Sequence, residues 1–169
     1  MIILNKHTQH IVEAGVTAAL YVVLTMVSTA LGISSGAIQL RLSEALCVLP
    51  AFTPAAIPGL AIGCALANLL SGCIVWDVIF GALATLIGAL GTYILRKHKL
   101  FSLLPPVISN SLVIPLVLAY GYSTGEALWF LVLTVAAGEI VSAGVLGWLT
   151  RTALEKRIRL RDAFTGKSP

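Results

Sequence analysis

The sequence predicts an all-α membrane protein in which six transmembrane helices form a single domain over residues 1–169. Hydrophobic residues make up 58% of the chain and charged residues only 11%, and the mean hydropathy is +0.98. Soluble domains carry about 25% charged residues. Long apolar stretches also alternate with short basic clusters, which is the pattern of a chain that crosses a bilayer repeatedly.

The basic residues predict the topology. Ten of the eleven lie in three clusters, and Arg41 stands alone after the first apolar stretch. The clusters are Lys6, then Arg96, Lys97 and Lys99, and finally Arg151, Lys156, Arg157, Arg159, Arg161 and Lys167. Short loops rich in Lys and Arg stay cytoplasmic, so the chain should cross an even number of times between clusters. Both termini are therefore predicted to be cytoplasmic and Arg41 external.

The net charge of +4 and the pI of about 9.2 fit attraction to the inner leaflet. A nucleic-acid partner is disfavoured, because no basic face with interleaved aromatic residues is present.

Four stretches approach the roughly 20 apolar residues that a spanning helix needs. They are residues 11–31, 78–95, 103–120 and 127–149, and residues 150–169 follow as a basic cytoplasmic tail. The first stretch is too long for the core of a cleaved signal peptide. We therefore expect it to remain as the first span.

The apolar region between the first two of these spans is interrupted by prolines. A single crossing there would place the middle basic cluster outside. Two crossings keep that cluster cytoplasmic, so two helices are favoured in this region. Thr53 followed by Pro54 is typical of a helix start, which predicts helices over residues 42–52 and 54–70. Eleven residues cannot span alone, so the first of these should be tilted, surrounded by a thinned bilayer, or buried in protein.

The predicted external loops are residues 32–41, 71–77 and 121–126. The first contains Gly32, Ser34, Ser35 and Gly36. Such a composition indicates a mobile segment that could act as a lid.

Glu139 lies deep in the last predicted span. A carboxylate at that depth is costly, so it should face a polar cavity or a partner, or be protonated. It could bind a cationic or hydrogen-bond-donating substrate, or be a neutral residue bonded to Ser142 or another helix. We favour the binding role, since ionisable groups inside a membrane usually mark functional sites.

Other polar residues have two interpretations. Arg41 and Glu44 are three apart, so they could form a local ion pair at a helix start or contribute to a site. Asp77, in an external loop beside Trp76, could cap a helix or bind a ligand. Asn68 and Asn110 lie in apolar segments and need hydrogen-bond partners from neighbouring helices or from a ligand.

Small residues four apart let helices approach closely in lipid. Such pairs occur as Ala14 and Ala18, Gly15 and Ala19, and Gly59 and Gly63. Internal packing is favoured for Gly59 and Gly63, whereas the pairs in the first helix could also meet an external partner. The three cysteines lack paired metal-ligand spacing and no nucleotide-binding loop is complete, so no metal, cofactor or ATP site is predicted.

Three runs together resemble one known family: Arg41-Leu-Ser-Glu44-Ala-Leu, the proline-rich run from Leu49 to Leu60, and Trp76-Asp77-Val-Ile-Phe-Gly81 continuing to Leu86. Over about residues 8–155 the chain is similar to the QueT-type substrate-binding S components of energy-coupling factor (ECF) transporters, which are proposed to import queuosine precursors.

The resemblance implies six helices in a bacterial plasma membrane, an external binding pocket and a first loop that covers it. It implies docking of the transmembrane coupling subunit (EcfT) on an Ala-x-x-x-Ala face of the first helix, onto which Ala14 and Ala18 map. Two associated ATPases would supply the energy, so the chain itself is predicted to be no enzyme.

The implied ligand is a 7-deazaguanine, with the 7-aminomethyl form favoured. Its ring N–H and exocyclic amine are two donors that one carboxylate can accept together. Glu139 or Glu44 would take this edge, and Asp77 or the other carboxylate the aminomethyl group. Trp76 would stack on the ring, and Asn68, Asn110 and Arg41 would complete the lining.

Three other functions stay open. The chain could be an S component for another base or a vitamin, a helical membrane scaffold that binds no ligand, or an intramembrane enzyme that uses Glu139 as an acid or base. The last has the least support in the sequence.

Overall fold

The chain folds into a bundle of helices. The structure, a computed structural model, describes residues 5–34 and 38–165, and every regular element within them is helical. The helices are α1 (Lys6–Ala30), a 3-10 helix (Leu42–Ala51), α2 (Ala56–Leu70), α3 (Val75–Ile94), α4 (Leu104–Leu116), α5 (Leu128–Glu139) and α6 (Gly147–Thr165). A 3-10 turn (Phe101–Leu103) precedes α4, a π-helical segment (Val117–Gly121) follows it, and another (Ile140–Leu146) joins α5 to α6. The predicted all-helical fold is confirmed.

Within the described residues, four helical stretches are long and apolar enough to cross a bilayer. They are Lys6–Ala30, Val75–Ile94, Phe101–Gly121 and Leu128–Arg159. Two shorter apolar helices, Leu42–Ala51 and Ala56–Leu70, complete the six that the sequence predicted. Thr53 and Pro54 lie in the turn between these two, and α2 begins at Ala56.

The last helix is longer than predicted. We expected it to end at residue 149, before a basic tail, but it continues to Thr165. Residues 150–165 contain neither proline nor glycine, and Arg151 pairs with Glu155 one turn later at 3.0 Å, an arrangement that supports a helix. The change from apolar to basic residues therefore does not end the helix.

The 3-10 helix lies at the centre of the bundle. A rise of about 2.0 Å per residue gives its ten residues a length of roughly 20 Å, short of a bilayer core of about 30 Å. Its start is held by side chains, since the Leu42 N–H donates to Ser28 Oγ at 2.9 Å and the Arg41 N–H donates to Ser142 Oγ at 3.2 Å. Of the three predicted solutions for this short element, the structure shows burial in protein.

Helices α1 and α2 approach so closely that α2 needs glycine at the crossing. A Cβ on Gly59 would lie 2.6 Å from the carbonyl oxygen of Ala14, and one on Gly63 would lie 3.0 Å from Ala18 Cα. Ala18 is accordingly buried. Ala14 and Ala18 therefore contact α2, with Ala14 partly exposed and Ala18 buried, and the docking of a partner on this pair stays a prediction.

The neighbouring small pair of α1, Gly15 and Ala19, remains exposed. A Cβ on Gly15 would meet no atom within 4 Å among the parts of the chain that the structure describes.

Candidate ligand-binding site

A small polar chamber lies where the 3-10 helix meets the middle of the bundle. Side chains and backbone from five helices and the segment before the 3-10 helix line it: Gln39, Arg41, Glu44, Cys64, Gly81, Asn110, Ile114, Val135 and Glu139. Its solvent-accessible volume is about 20 Å³, room for about one water molecule. Ligand pockets usually measure about 300–1,000 Å³, so the chamber is closed in this conformation.

Glu139 is the least satisfied group of the chamber. The side chain is 8% exposed, and its Oε2 has no hydrogen-bond partner within the described residues. Leaving a buried carboxylate oxygen without a donor is costly. Glu139 lines the polar chamber, which is one of the surroundings that the sequence predicted, and its role in binding stays a prediction.

Glu44 contrasts with Glu139 because its carboxylate receives three hydrogen bonds. Oε1 accepts from the Tyr21 hydroxyl of α1, while Oε2 accepts from Cys47 Sγ at 3.1 Å and from Asn110 Nδ2 at 3.3 Å. Glu44 is 2% exposed, so these donors replace the water that a carboxylate needs. Glu44 thus joins α1, the 3-10 helix and α4.

Arg41 does not form the local ion pair with Glu44 that the sequence allowed. Its Nη1 donates to Asn68 Oδ1 on α2 at 3.3 Å instead. Asn68 Nδ2 in turn donates to the backbone carbonyl of Asp77 on α3 at 3.0 Å. Both predicted asparagines, Asn68 and Asn110, therefore find partners on neighbouring helices while they lie at or beside the chamber.

Only one of the two carboxylate oxygens of Asp77 accepts a hydrogen bond within the described residues. Oδ2 accepts from the Tyr122 hydroxyl at 3.2 Å, whereas Oδ1 is buried without a partner within the described residues. Asp77 lies in the first turn of α3, after an N-cap at Ile74, so it is not the cap residue itself. It lies one turn from Gly81, and a Cβ on Gly81 would sit 3.5 Å from Asp77 Oδ1.

Tyr122 belongs to the loop after α4 and remains a donor to Asp77. Burial raises the pKa of the Tyr122 phenol, and the negative charge of Asp77 raises this pKa further. The hydroxyl is therefore protonated at neutral pH and keeps Asp77 Oδ2 occupied.

The structure does not bring Trp76 to the chamber. Its side chain is 58% exposed and stacks on Phe80, with ring centroids 5.9 Å apart. Both line a separate apolar groove of about 550 Å³ between α3 and the end of α4. Consecutive helical residues point about 100° apart, so Asp77 faces inward while its neighbour Trp76 faces outward.

Sequence reasoning missed several residues of the site, notably Tyr21, Gln39, Cys64 and Gly81. Tyr21 carried a detectable signal, since tyrosines in membrane helices favour the interfaces and this one lies well inside a span. Thr25 follows it at the next turn and donates to Ser43 Oγ at 2.8 Å. A polar stripe on α1 thus faces the start of the 3-10 helix.

The fold and the site together define a multi-pass membrane protein with a polar chamber enclosed among its helices. Such a chamber suits a membrane receptor or transporter for a small polar solute.

Comparison with known sequences supports this class. The QueT transporter family matches residues 11–156, and the chain belongs to that family. It is also similar to the "Queuosine precursor transporter QueT" of Lactococcus lactis subsp. cremoris (strain MG1363), with 42% identity over 97 residues. That similarity covers 56% of this chain and 56% of the relative, so it spans about half the length of each. No solved structure matches the chain.

Proposed function

We propose that the chain is the substrate-binding S component of an ECF-type importer and binds a queuosine precursor, a 7-deazaguanine in its 7-aminomethyl form, from the external side. Family membership and the name of the Lactococcus relative support the substrate class. The observation that carries the proposal is the unpartnered Glu139 Oε2 in a chamber that Arg41 also lines.

Charge supports the aminomethyl form. Glu44, Glu139 and Asp77 are three carboxylates in and beside the chamber, against the single guanidinium of Arg41. Ionised carboxylates in excess are costly to bury. A ligand with an ammonium group offsets one negative charge, whereas a neutral nitrile or guanine does not.

The contacts suggest one orientation of the ligand. The Glu139 carboxylate accepts from the ring N–H and the exocyclic amine, Arg41 donates to the ring carbonyl, and Asp77 Oδ1 takes the ammonium group. Asn68 and Asn110 complete the polar lining. Glu44 is already held by three donors, so it positions Asn110 instead of taking the base edge. Trp76 is left out, because its ring lies in the outer groove.

Ligand entry requires the chamber to expand. Gln39 closes one side, and its backbone carbonyl lies against Gly138 so tightly that a Cβ there would clash with it. We propose that the predicted lid, residues 32–41, opens by moving Gln39 and Arg41 away from α5. Residues 35–37 of that lid lie outside the described residues.

Energy would come from partners, EcfT and two ATPase subunits. The exposed Gly15 and Ala19 replace Ala14 and Ala18 as the small residues of α1 at which the helix of a coupling subunit could approach.

Calorimetry on the purified chain tests the substrate. We expect the 7-aminomethyl deazaguanine to bind more tightly than the nitrile form, guanine or thiamine. Glu139→Gln should weaken this binding about 100-fold, because it removes a buried charged acceptor. Glu126→Gln, at an exposed position, is the matched control and should leave affinity unchanged.

Two results would reject the proposal. Equal binding of all four compounds would remove the deazaguanine assignment, and unchanged affinity in Glu139→Gln would remove the chamber as the site.

A further inference from the structure

A second polar groove lies at the basic end of the bundle, between α6 and the turn after α3. It has a volume of about 320 Å³ and is lined by Lys99, Thr152, Glu155, Lys156 and Arg159. It shares no lining residue with the Glu139 chamber.

Arg151 holds together the two segments that form this groove. Its side chain is buried, and its guanidinium donates to the carbonyl oxygens of Arg96 at 2.9 Å and Lys99 at 3.3 Å, and to the Ser102 hydroxyl. These acceptors follow the C-terminal end of α3, where free carbonyls favour a cation. Arg151 therefore anchors the turn on α6 and places Lys99 at the edge of the groove.

The single carboxylate of the groove is already neutralised. Glu155 Oε2 accepts from Lys99 Nζ at 2.5 Å, and Oε1 accepts from Arg151 Nε at 3.0 Å. Lys156 and Arg159 lie three residues apart on one face of α6, and neither has an acidic partner within the described residues. Among the side chains that the structure describes, the groove thus presents two cations without an acidic partner beside a fixed ion-pair network.

Large exposed apolar side chains adjoin these cations. Trp148 lies one turn before Thr152 on α6 and is 47% exposed, and Leu100 and Phe101 directly follow Lys99 and are 67% and 60% exposed. An anionic headgroup above apolar chains matches this arrangement, in which basic residues adjoin the hydrocarbon boundary.

We propose that this groove binds the phosphate group of an anionic phospholipid through Lys156 and Arg159, with Lys99 at its edge. The bound lipid would fix the basic end of α6 at headgroup depth. This site is independent of the ligand chamber and of the proposed transport function.

The test measures lipid binding to the purified chain in mixed micelles by native mass spectrometry. We expect phosphatidylglycerol to bind in preference to phosphatidylcholine. The double variant Lys156→Gln with Arg159→Gln should weaken phosphatidylglycerol binding about tenfold, comparable to losing one hydrogen bond to a charged group. Lys97→Gln with Arg157→Gln removes the same charge at exposed positions outside the groove and should retain binding.

The charge-preserving pair Lys156→Arg with Arg159→Lys should also retain binding, which separates lost recognition from misfolding. If both glutamine pairs lose phosphatidylglycerol binding equally, the groove is not the binding site. The lipid would then be attracted only by the overall positive charge. Inorganic phosphate serves as the second probe. If it displaces phosphatidylglycerol at millimolar concentration, the anion site stands but a lipid as its occupant is overturned.

Discussion

Two charged residues, one in the middle of the bundle and one at its basic end, are buried to nearly the same degree, yet their surroundings differ. Arg151 is 6% exposed and Glu139 is 8% exposed. The guanidinium of Arg151 makes four hydrogen bonds to Arg96, Lys99, Ser102 and Glu155. Glu139 Oε2 has no partner within the described residues.

We interpret Arg151 as a structural charge and propose that Glu139 is a ligand-binding charge. A buried charge with a full set of hydrogen bonds stabilises the packing of the elements that it joins. Removing it leaves its partners buried without hydrogen bonds, which destabilises the fold. A buried carboxylate oxygen without a hydrogen-bond donor lowers the stability of the ligand-free protein. A ligand that donates to this oxygen would restore the lost stability. Burial alone would not have distinguished the two residues.

The largest expected effect is on stability at the basic end. Arg151→Met should lower the free energy of unfolding by about 3–5 kcal/mol, because Glu155 and the carbonyls after α3 lose a buried donor. Ligand affinity should be nearly unchanged. Thermal unfolding in detergent measures this against Arg157→Met, an exposed control. A melting temperature equal to that of the control would show that Arg151 is not structural.

Tyr21→Phe tests whether Glu44, like Arg151, is a structural charge. The change removes a donor to a buried carboxylate and should cost about 1.5–3 kcal/mol of stability. Tyr120→Phe, whose side chain is 77% exposed, should change stability by less than about 0.5 kcal/mol. If the two variants unfold at the same temperature, Glu44 does not depend on Tyr21.

Glu139→Leu should change the stability in the opposite direction. Replacing a buried carboxylate whose Oε2 has no hydrogen-bond partner within the described residues with an apolar group should raise the stability of the ligand-free protein by about 1–2 kcal/mol and abolish ligand binding. Thermal unfolding without ligand and calorimetry with it measure the two effects. A clear loss of stability would place Glu139 with Arg151, as a structural residue.

Asp77→Asn should have the smallest effect. The amide still accepts from Tyr122 but loses the charge that we assign to the ammonium group. Affinity for the 7-aminomethyl form should fall about tenfold, whereas affinity for the neutral nitrile should not fall. Calorimetry with both ligands provides the control. A parallel loss for both would assign Asp77 a structural role instead.

Much of the fold follows from the sequence because membrane helices are constrained in length and hydropathy. The apolar stretches predicted the helices, and the depth of Glu139 predicted one residue that lines the polar chamber. The end of α6 was missed because basic residues indicate where a chain leaves lipid, and Lys, Arg and Glu are themselves good helix formers.

The site was predicted less completely because its geometry depends on which faces of the helices meet. Trp76 and Asp77 are adjacent in sequence but point to different sides of α3. Ala14 and Ala18 form a packing motif, but the pattern does not name the helix that they meet, and here it is α2. The donors of Glu44 come from α1 and α4, which no local spacing relates.

The 3-10 winding of Leu42–Ala51 has a mechanical consequence. These ten residues stretch farther than an α-helix would, by about 0.5 Å each, so rewinding them would shorten the element by roughly 5 Å. If this contraction were taken up at the Arg41 end, it would break the hydrogen bond from Arg41 to Asn68, because roughly 5 Å exceeds the reach of a hydrogen bond. The two hydrogen bonds at the start of the element, to Ser28 and Ser142, would then have to break as well.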